Sequence, residues 1–327
     1  MSIGTSEMVL EEGSVDSVEL VSGDIAARSP LQLFWRRLRQ DRVATVSAGF
    51  IIFMILVAIA APLVVSILGL PGPLVQNNSL TDAFGSPTGP SGAHPFGVDE
   101  LGRDILSRII YGARVSLEVG ILGTAIAAAV GTTIGLVAGF YRGWVDSLLM
   151  RAVDVFLAFP VLILGLGIGA ACGVFGCLGG IISPGVPTVL FIIALSNFTY
   201  IARIVRGQVL SLREKEYVEA ARSLGASNLR IVFRELLPNL LAPLIVYSSL
   251  LVPQNILLEA ALSFLGIGVR APEPTWGNMI SASQSYLTPP PSWWYMVFPG
   301  VALLLTVLAF NLLGDGLLDA LNPRGTR

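Results

Sequence analysis

The sequence predicts an all-helical integral membrane protein with six transmembrane spans and both termini in the cytoplasm. Three observations carry that expectation. The 327 residues are 54% hydrophobic and only 13% charged, with a mean hydropathy of +0.75, whereas soluble domains run near 25% charged. The apolar residues fall into separate runs of about 20, the length a helix needs to cross a bilayer. The basic residues gather on alternate connections between those runs. The same composition excludes other classes. A net charge of −2 from 20 Lys+Arg and 22 Asp+Glu offers no basic surface for nucleic acid, and a chain with two cysteines is no disulfide scaffold.

Residues 1–30 read as a disordered, acidic cytoplasmic tail, with Glu7, Glu11, Glu12, Asp16, Glu19 and Asp24 against Arg28 and no sustained apolar run. The segment lacks the basic start and apolar core of a cleaved signal. Residues 31–70 form an N-terminal arm and first helix: a basic cluster (Arg36, Arg37, Arg39, Arg42) precedes an apolar span over 44–70. Residues 71–116 are expected as an extracytoplasmic loop, and 117–327 as a five-helix core with spans near 117–140, 153–171, 187–205, 238–262 and 294–313. Cys172-Gly173 and the run from Pro184 to Pro187 separate the third span from the fourth. Trp293, Trp294 and Tyr295 make an aromatic belt where the last span begins. Six spans put both ends on one side. The connections and termini of that side hold 16 of the 20 basic residues, so it is the cytoplasmic side by the positive-inside rule.

The connection 207–236 has its own pattern. Tyr217, Ala220, Ala221 and Leu224 follow the i, i+3, i+4, i+7 stripe of a short helix, and Gly225 sits where a C′ glycine ends one. Leu229, Val232, Phe233 and Leu236 repeat the stripe, and Pro238 falls where a first-turn proline starts the fifth span. Two short helices at nearly right angles would make a rigid cytoplasmic knob. From the stripes alone, an amphipathic hairpin lying on lipid headgroups fits equally well.

The spacing Glu219-Ala220-Ala221, three residues, Gly225, then Leu237-Pro238 resembles the EAA loop of ATP-binding-cassette (ABC) importer permeases, with Glu235 at a position where that family usually has an apolar residue. The resemblance runs over nearly the whole chain beyond the tail. Residues 34–62, His94-Pro-Phe-Gly-Val-Asp-Glu-Leu-Gly-Arg-Asp104, Leu106-Ser-Arg108, Tyr111-Gly-Ala-Arg114, Glu259-Ala-Ala-Leu-Ser-Phe-Leu-Gly-Ile-Gly268 and Pro274-Thr-Trp-Gly-Asn278 are similar to the dipeptide/oligopeptide/nickel branch, and to the second of its two permease subunits.

The resemblance implies a type I importer-permease fold and a mechanism divided among chains. A second, homologous permease completes the path, two ATP-binding subunits sit beneath the pair, and an extracytoplasmic binding protein delivers a di- or oligopeptide. ATP and Mg²⁺ belong to the partner ATPases; no cofactor is expected in this chain, and it is not itself an enzyme. It has no G-x-x-x-x-G-K-[ST] phosphate loop, and Gly165-Leu-Gly-Ile-Gly169 lies inside an apolar span as helix-packing glycine. The resemblance assigns ATPase coupling to Glu219, Ala220, Ala221, Arg222 and Gly225, with Leu237 and Pro238 joining the loop to span five.

Other residues carry weaker expectations. His94, the only histidine, is read as part of an outer-loop turn, and no metal site is expected. Cys172 and Cys177 lie in an outer loop, where a disulfide and two free thiols fit equally. Intramembrane acids are functional suspects. Glu118 and Asp154 are read as anchors near Arg114 and Arg151, and Asp315 also lies near a span end. Glu259 lies deeper, facing either the translocation path or the partner permease. Segment 263–292 is too polar to span and is expected to line the outer mouth or form part of the binding-protein dock. Alternatives remain: an importer of nickel or another small solute, a proton-coupled transporter with Glu259 as relay, or a membrane-embedded hydrolase, for which the only histidine is poorly placed.

Overall fold

The computed structural model describes residues 30–82, 86–287 and 292–321. The acidic tail expected over 1–30 lies outside the described residues apart from Pro30, as do Arg324 and Arg327. Among the described residues the chain is helical, and its β structure is limited to three isolated bridges. Five helices among the described residues are long and apolar enough to cross a membrane, and a bent pair makes six if it counts as one span.

The N-terminal arm is α1 (Pro30–Gln40), followed by α2 (Arg42–Ile59). Asp41 caps α2, its Oδ1 accepting from the backbone N–H of Val43 at 2.9 Å and of Ala44 at 3.1 Å. The span expected as one helix over 44–70 breaks at Ala60 and resumes as α3 (Ala61–Ile67). Pro62, in the first turn of α3, lacks the N–H that would continue the ladder, and a first turn is where a helix tolerates it.

The second span begins earlier than expected. α4 (Ile105–Tyr141) is 37 residues long, and residues 105–116, expected in the outer loop, are its first turns. Asp104 caps it, with Oδ1 accepting from Ser107 N–H at 2.7 Å. Arg108, which falls within the expected outer loop, is buried with its Nε 3.3 Å from Asp99 Oδ2. The third span, expected as one helix over 153–171, is instead two: α5 (Gly143–Leu157) and α6 (Val161–Cys172), bent by 84°. Pro160 stands at the break and supplies no backbone N–H.

Next come α7 (Val186–Leu212) and the short α8 (Glu216–Ser223). A single turn, α9 (Asn228–Arg230), leads through a π-helical segment (Ile231–Leu236) into α10 (Leu237–Phe264). The chain closes with α11 (Trp276–Ser283) and α12 (Trp293–Leu321). The core of the bundle is α4 packed along α7, with α10 against both. α2 and α12 flank α4 and α10, and the α5–α6 elbow lies on α7.

The α4–α7 contact needs glycine. A Cβ added at Gly131 would lie 2.6 Å from the Phe198 carbonyl oxygen, and one at Gly139 would lie 2.8 Å from Val209 Cβ. Small residues let two helices approach backbone to backbone, which in a bilayer supplies packing that the hydrophobic effect does not.

Candidate functional site

α8 is an eight-residue helix with Glu216 and Glu219 in its first turn and Arg222 in its last, charges that favour the helix dipole at both ends. Its C-terminus is a Schellman motif: Ala226 N–H donates to Ala221 O at 3.0 Å, and Gly225 N–H donates to Arg222 O at 3.0 Å. Gly225 takes φ +78° with open space around it, so glycine is there for backbone conformation and not for close packing. The C′ position expected from the sequence is where the structure places it.

The helix is held by Val218. This fully buried side chain joins Ile231, Leu236 and Leu240, together with Val205 and Val209 of α7, in one apolar cluster. The stripe that marked the helix in the sequence points the other way. Leu224 is 88% exposed, Tyr217 and Ala220 are exposed, and Ala221 is half-buried. Glu219 and Arg222 flank that outward face and are exposed as well. Among the described residues the buried anchor of the helix is Val218, which fell outside the stripe, while three of the four stripe residues remain exposed.

The second half of the loop corrects the periodicity. Leu229 and Phe233 are exposed, Val232 is half-buried, and Ile231 and Leu236 are fully buried. The buried pair is five residues apart because this segment is π-helical, whereas the expected stripe assumed 3.6 residues per turn. Pro238 lies in the first turn of α10 but does not begin a separate helix, since helical structure is continuous from Asn228. Leu237 N–H reaches back to Val232 O, a π-type step just before the proline. Glu235 is half-buried; its backbone oxygen accepts from Asn239 Nδ2 at 2.6 Å. Burial, and then the Glu235 charge, raise the Tyr217 hydroxyl pKa above its ordinary value.

Asp154, Asp146 and Glu259 find partners on other helices. Asp154 pairs with Arg203 of α7, in place of the expected Arg151. Asp146 holds Arg206 two-pronged, with Nε and Nη2 each 2.6 Å from a carboxylate oxygen. Glu118 and Arg114 line one cleft of about 270 Å³ between α2 and α4. Asp315 is exposed on α12. Glu259 is fully buried inside this chain, accepting from Ser116 Oγ of α4 at 3.0 Å and Ser263 Oγ at 2.7 Å. Ser263 Oγ accepts in turn from Val269 N–H at 3.2 Å, so the carboxylate organises the loop that leads to α11.

Two polar clusters were missed in the sequence. Asn197 Nδ2 donates to Asn255 Oδ1 and Asn255 Nδ2 to Thr124 Oγ1, each at 2.8 Å, linking α7, α10 and α4 in the bundle interior. Their signal was a lone amide, Asn197, inside one apolar run and the pair Gln254-Asn255 inside another. Asp99 accepts from Arg103 Nε at 2.6 Å and lies beside Arg108, while Tyr295 donates to Glu100. His94 Nδ1 lies 2.9 Å from Asp104 Oδ2. The Cys172 and Cys177 sulfurs are joined at 2.06 Å. Of the Gly165–Gly169 run, Gly165 faces Leu262 and Gly169 faces Ile267 at close range.

A helical bundle with five membrane-length helices among the described residues, and a short helix presented outward by a glycine-ended turn, defines the class as a multi-pass membrane protein. Comparison makes the class specific. Residues 131–327 match the family described as "Binding-protein-dependent transport system inner membrane component", and residues 29–80 match "N-terminal TM domain of oligopeptide transport permease C". The chain belongs to this family of ABC importer permeases. It is 42% identical over 298 residues to the Dipeptide transport system permease protein DppC of Alkalihalophilus pseudofirmus, covering 91% of each chain. It is 39% identical over 301 residues to the Glutathione transport system permease protein GsiD of Pectobacterium atrosepticum, covering 92% of this chain and 93% of the relative. Among solved structures, the inward-facing MetNI methionine ABC transporter superposes with a TM-score of 0.54 at 19% identity, over 67% of this chain and 98% of that one, which shows a shared fold.

Proposed function

We propose that this chain is the second permease subunit of an ATP-driven importer for di- or oligopeptides. It encloses the translocation path with a homologous permease, above two ATP-binding subunits and beneath an extracytoplasmic binding protein. The outward face of α8 carries this reading. Tyr217, Ala220 and Leu224 form an exposed apolar stripe on a helix whose other side is locked by Val218. Small and apolar residues flanked by Glu219 and Arg222 suit the groove of a second protein. The face lies on the cytoplasmic side if the basic residues follow the positive-inside rule, and ATP-binding subunits are reached from there. Coupling is assigned to Glu219, Ala220, Ala221, Arg222 and Gly225, with Leu237 and Pro238 continuing the loop into α10. The substrate class follows the dipeptide and glutathione permeases that the chain resembles over most of its length.

Co-purification tests it. The chain, tagged and extracted in mild detergent, is expected to bring down a second permease and ATP-binding subunits, with ATP turnover stimulated by a peptide-loaded binding protein. A chain that purifies alone or as a homo-oligomer, and takes up substrate on a proton gradient, overturns the reading.

A further inference from the structure

The connection between α7 and α8 is only residues 213–215, and two of the three are tied to the corner where α4 turns into α5. Arg213 Nη1 donates to the carbonyl oxygens of Phe140 at 2.6 Å and Gly139 at 3.3 Å. These belong to the last turn of α4, where carbonyls lack helical partners and the helix dipole is negative. Running the other way, Arg142 Nη2 donates to Glu214 Oε1 at 2.5 Å. Arg142 is the corner residue itself, at φ +55°, with its N–H closing on Ala138 O. Each side of the junction therefore lends a cation to the other, and the crossed links join segments more than 70 residues apart in sequence.

We propose that Arg213 and the Arg142–Glu214 pair are positioning residues that transmit displacement of α8 to the cytoplasmic end of α4. This rests on the coupling reading above and adds the route by which motion leaves α8. α4 is the element worth moving: its glycine face is pressed on α7, Thr124 joins the buried amide chain, and Ser116 holds Glu259. Asp146 on Arg206 secures α5 to α7 just beyond the same corner. Glu214 is kept below the usual carboxylate range, first by its hydrogen bond from Arg142, so the pair is ionised at neutral pH. Both partners are well exposed, with side chains 43% and 65% accessible. Exposed pairs contribute little to folding stability, so their loss separates transmission from folding.

The test uses the complete complex in proteoliposomes, reading ATP turnover and uptake of radiolabelled dialanine and of glutathione. Arg142→Glu and Glu214→Arg are each expected to lower uptake per ATP hydrolysed by up to about fivefold, the scale of one solvent-exposed ion pair, at normal assembly. The double swap Arg142→Glu/Glu214→Arg is expected to restore most of it. Arg213→Met is expected to leave ATP turnover insensitive to the loaded binding protein. Single variants that couple like wild type, or a double swap no better than the worse single, overturn the proposal while the wild-type complex still couples. A wild-type complex whose ATP turnover ignores the binding protein overturns the functional reading, and the transmission route with it.

Discussion

Gly135 of α4 faces the backbone of Ala202 on α7 so closely that a Cβ at Gly135 would lie 2.6 Å from the Ala202 carbonyl oxygen, and within 2.8 Å of Val205 Cβ. No side chain can be repacked away from a backbone oxygen, so the two helices would have to separate. Gly135→Val is expected to destabilise the protein by about 3 kcal/mol, the upper end for overpacking a tight core. Gly207→Ala on the same α7, with nothing within 4 Å, is expected to be neutral or to stabilise by about 0.5–1 kcal/mol. Thermal unfolding in detergent compares the pair, and equal effects would show that the approach is not tight.

Glu259 makes a second prediction. Its carboxylate accepts from Ser116 and Ser263 in a site closed to solvent. Glu259→Ala leaves both hydroxyls without their acceptor and is expected to cost about 1–3 kcal/mol. Glu259→Gln retains an acceptor oxygen and is expected to lose less. If Gln abolishes uptake while stability is kept, the acid serves in transport and not in holding the α10–α11 loop.

On α8, Gly225→Pro removes the N–H that reaches Arg222 O and forbids φ +78°. Glu219→Lys reverses a charge on the outward face without touching Val218. Both variants are expected to remain in the membrane at normal levels while ATP hydrolysis no longer drives uptake. Normal uptake by either, at wild-type expression, removes its residue from the coupling assignment.

The cysteine pair reports on orientation. Cys172 and Cys177 are bonded, and the topology proposed from the charge bias has their loop outside the cell. A membrane-impermeant maleimide added to intact cells is expected to label them only after a reductant. Labelling confined to inverted vesicles would reverse the proposed topology.

What the sequence revealed followed from local composition, and what it hid depended on distant partners. The apolar runs marked where α2, α4, α7, α10 and α12 cross, because desolvation acts residue by residue. The start of α4 was hidden because its first turns carry Arg108 and Arg114, and the burial of Arg108 depends on Asp99 placed beside it. Asp154 looked to Arg151, three residues away, but pairs with Arg203 on another helix. Pro160 was in plain view inside the third span, but whether it kinks or breaks a helix depends on what packs around it. At the coupling surface, Gly225 was readable because a C′ glycine is a local backbone requirement. Ile231 was not, since its burial with Leu236 needs a π turn that a 3.6-residue stripe does not describe.

The 84° elbow at Pro160 has a consequence for the surrounding bilayer. At 1.5 Å per residue the 12 residues of α6 rise about 18 Å, against a hydrocarbon thickness of about 30 Å. With α6 upright, α5 runs nearly parallel to the membrane plane and adds almost no height. The protein's outline then has a notch on this flank about 12 Å deep, some two fifths of the hydrocarbon thickness. Acyl chains cannot leave a void there: either the leaflet thins around α5 or another polypeptide occupies the recess.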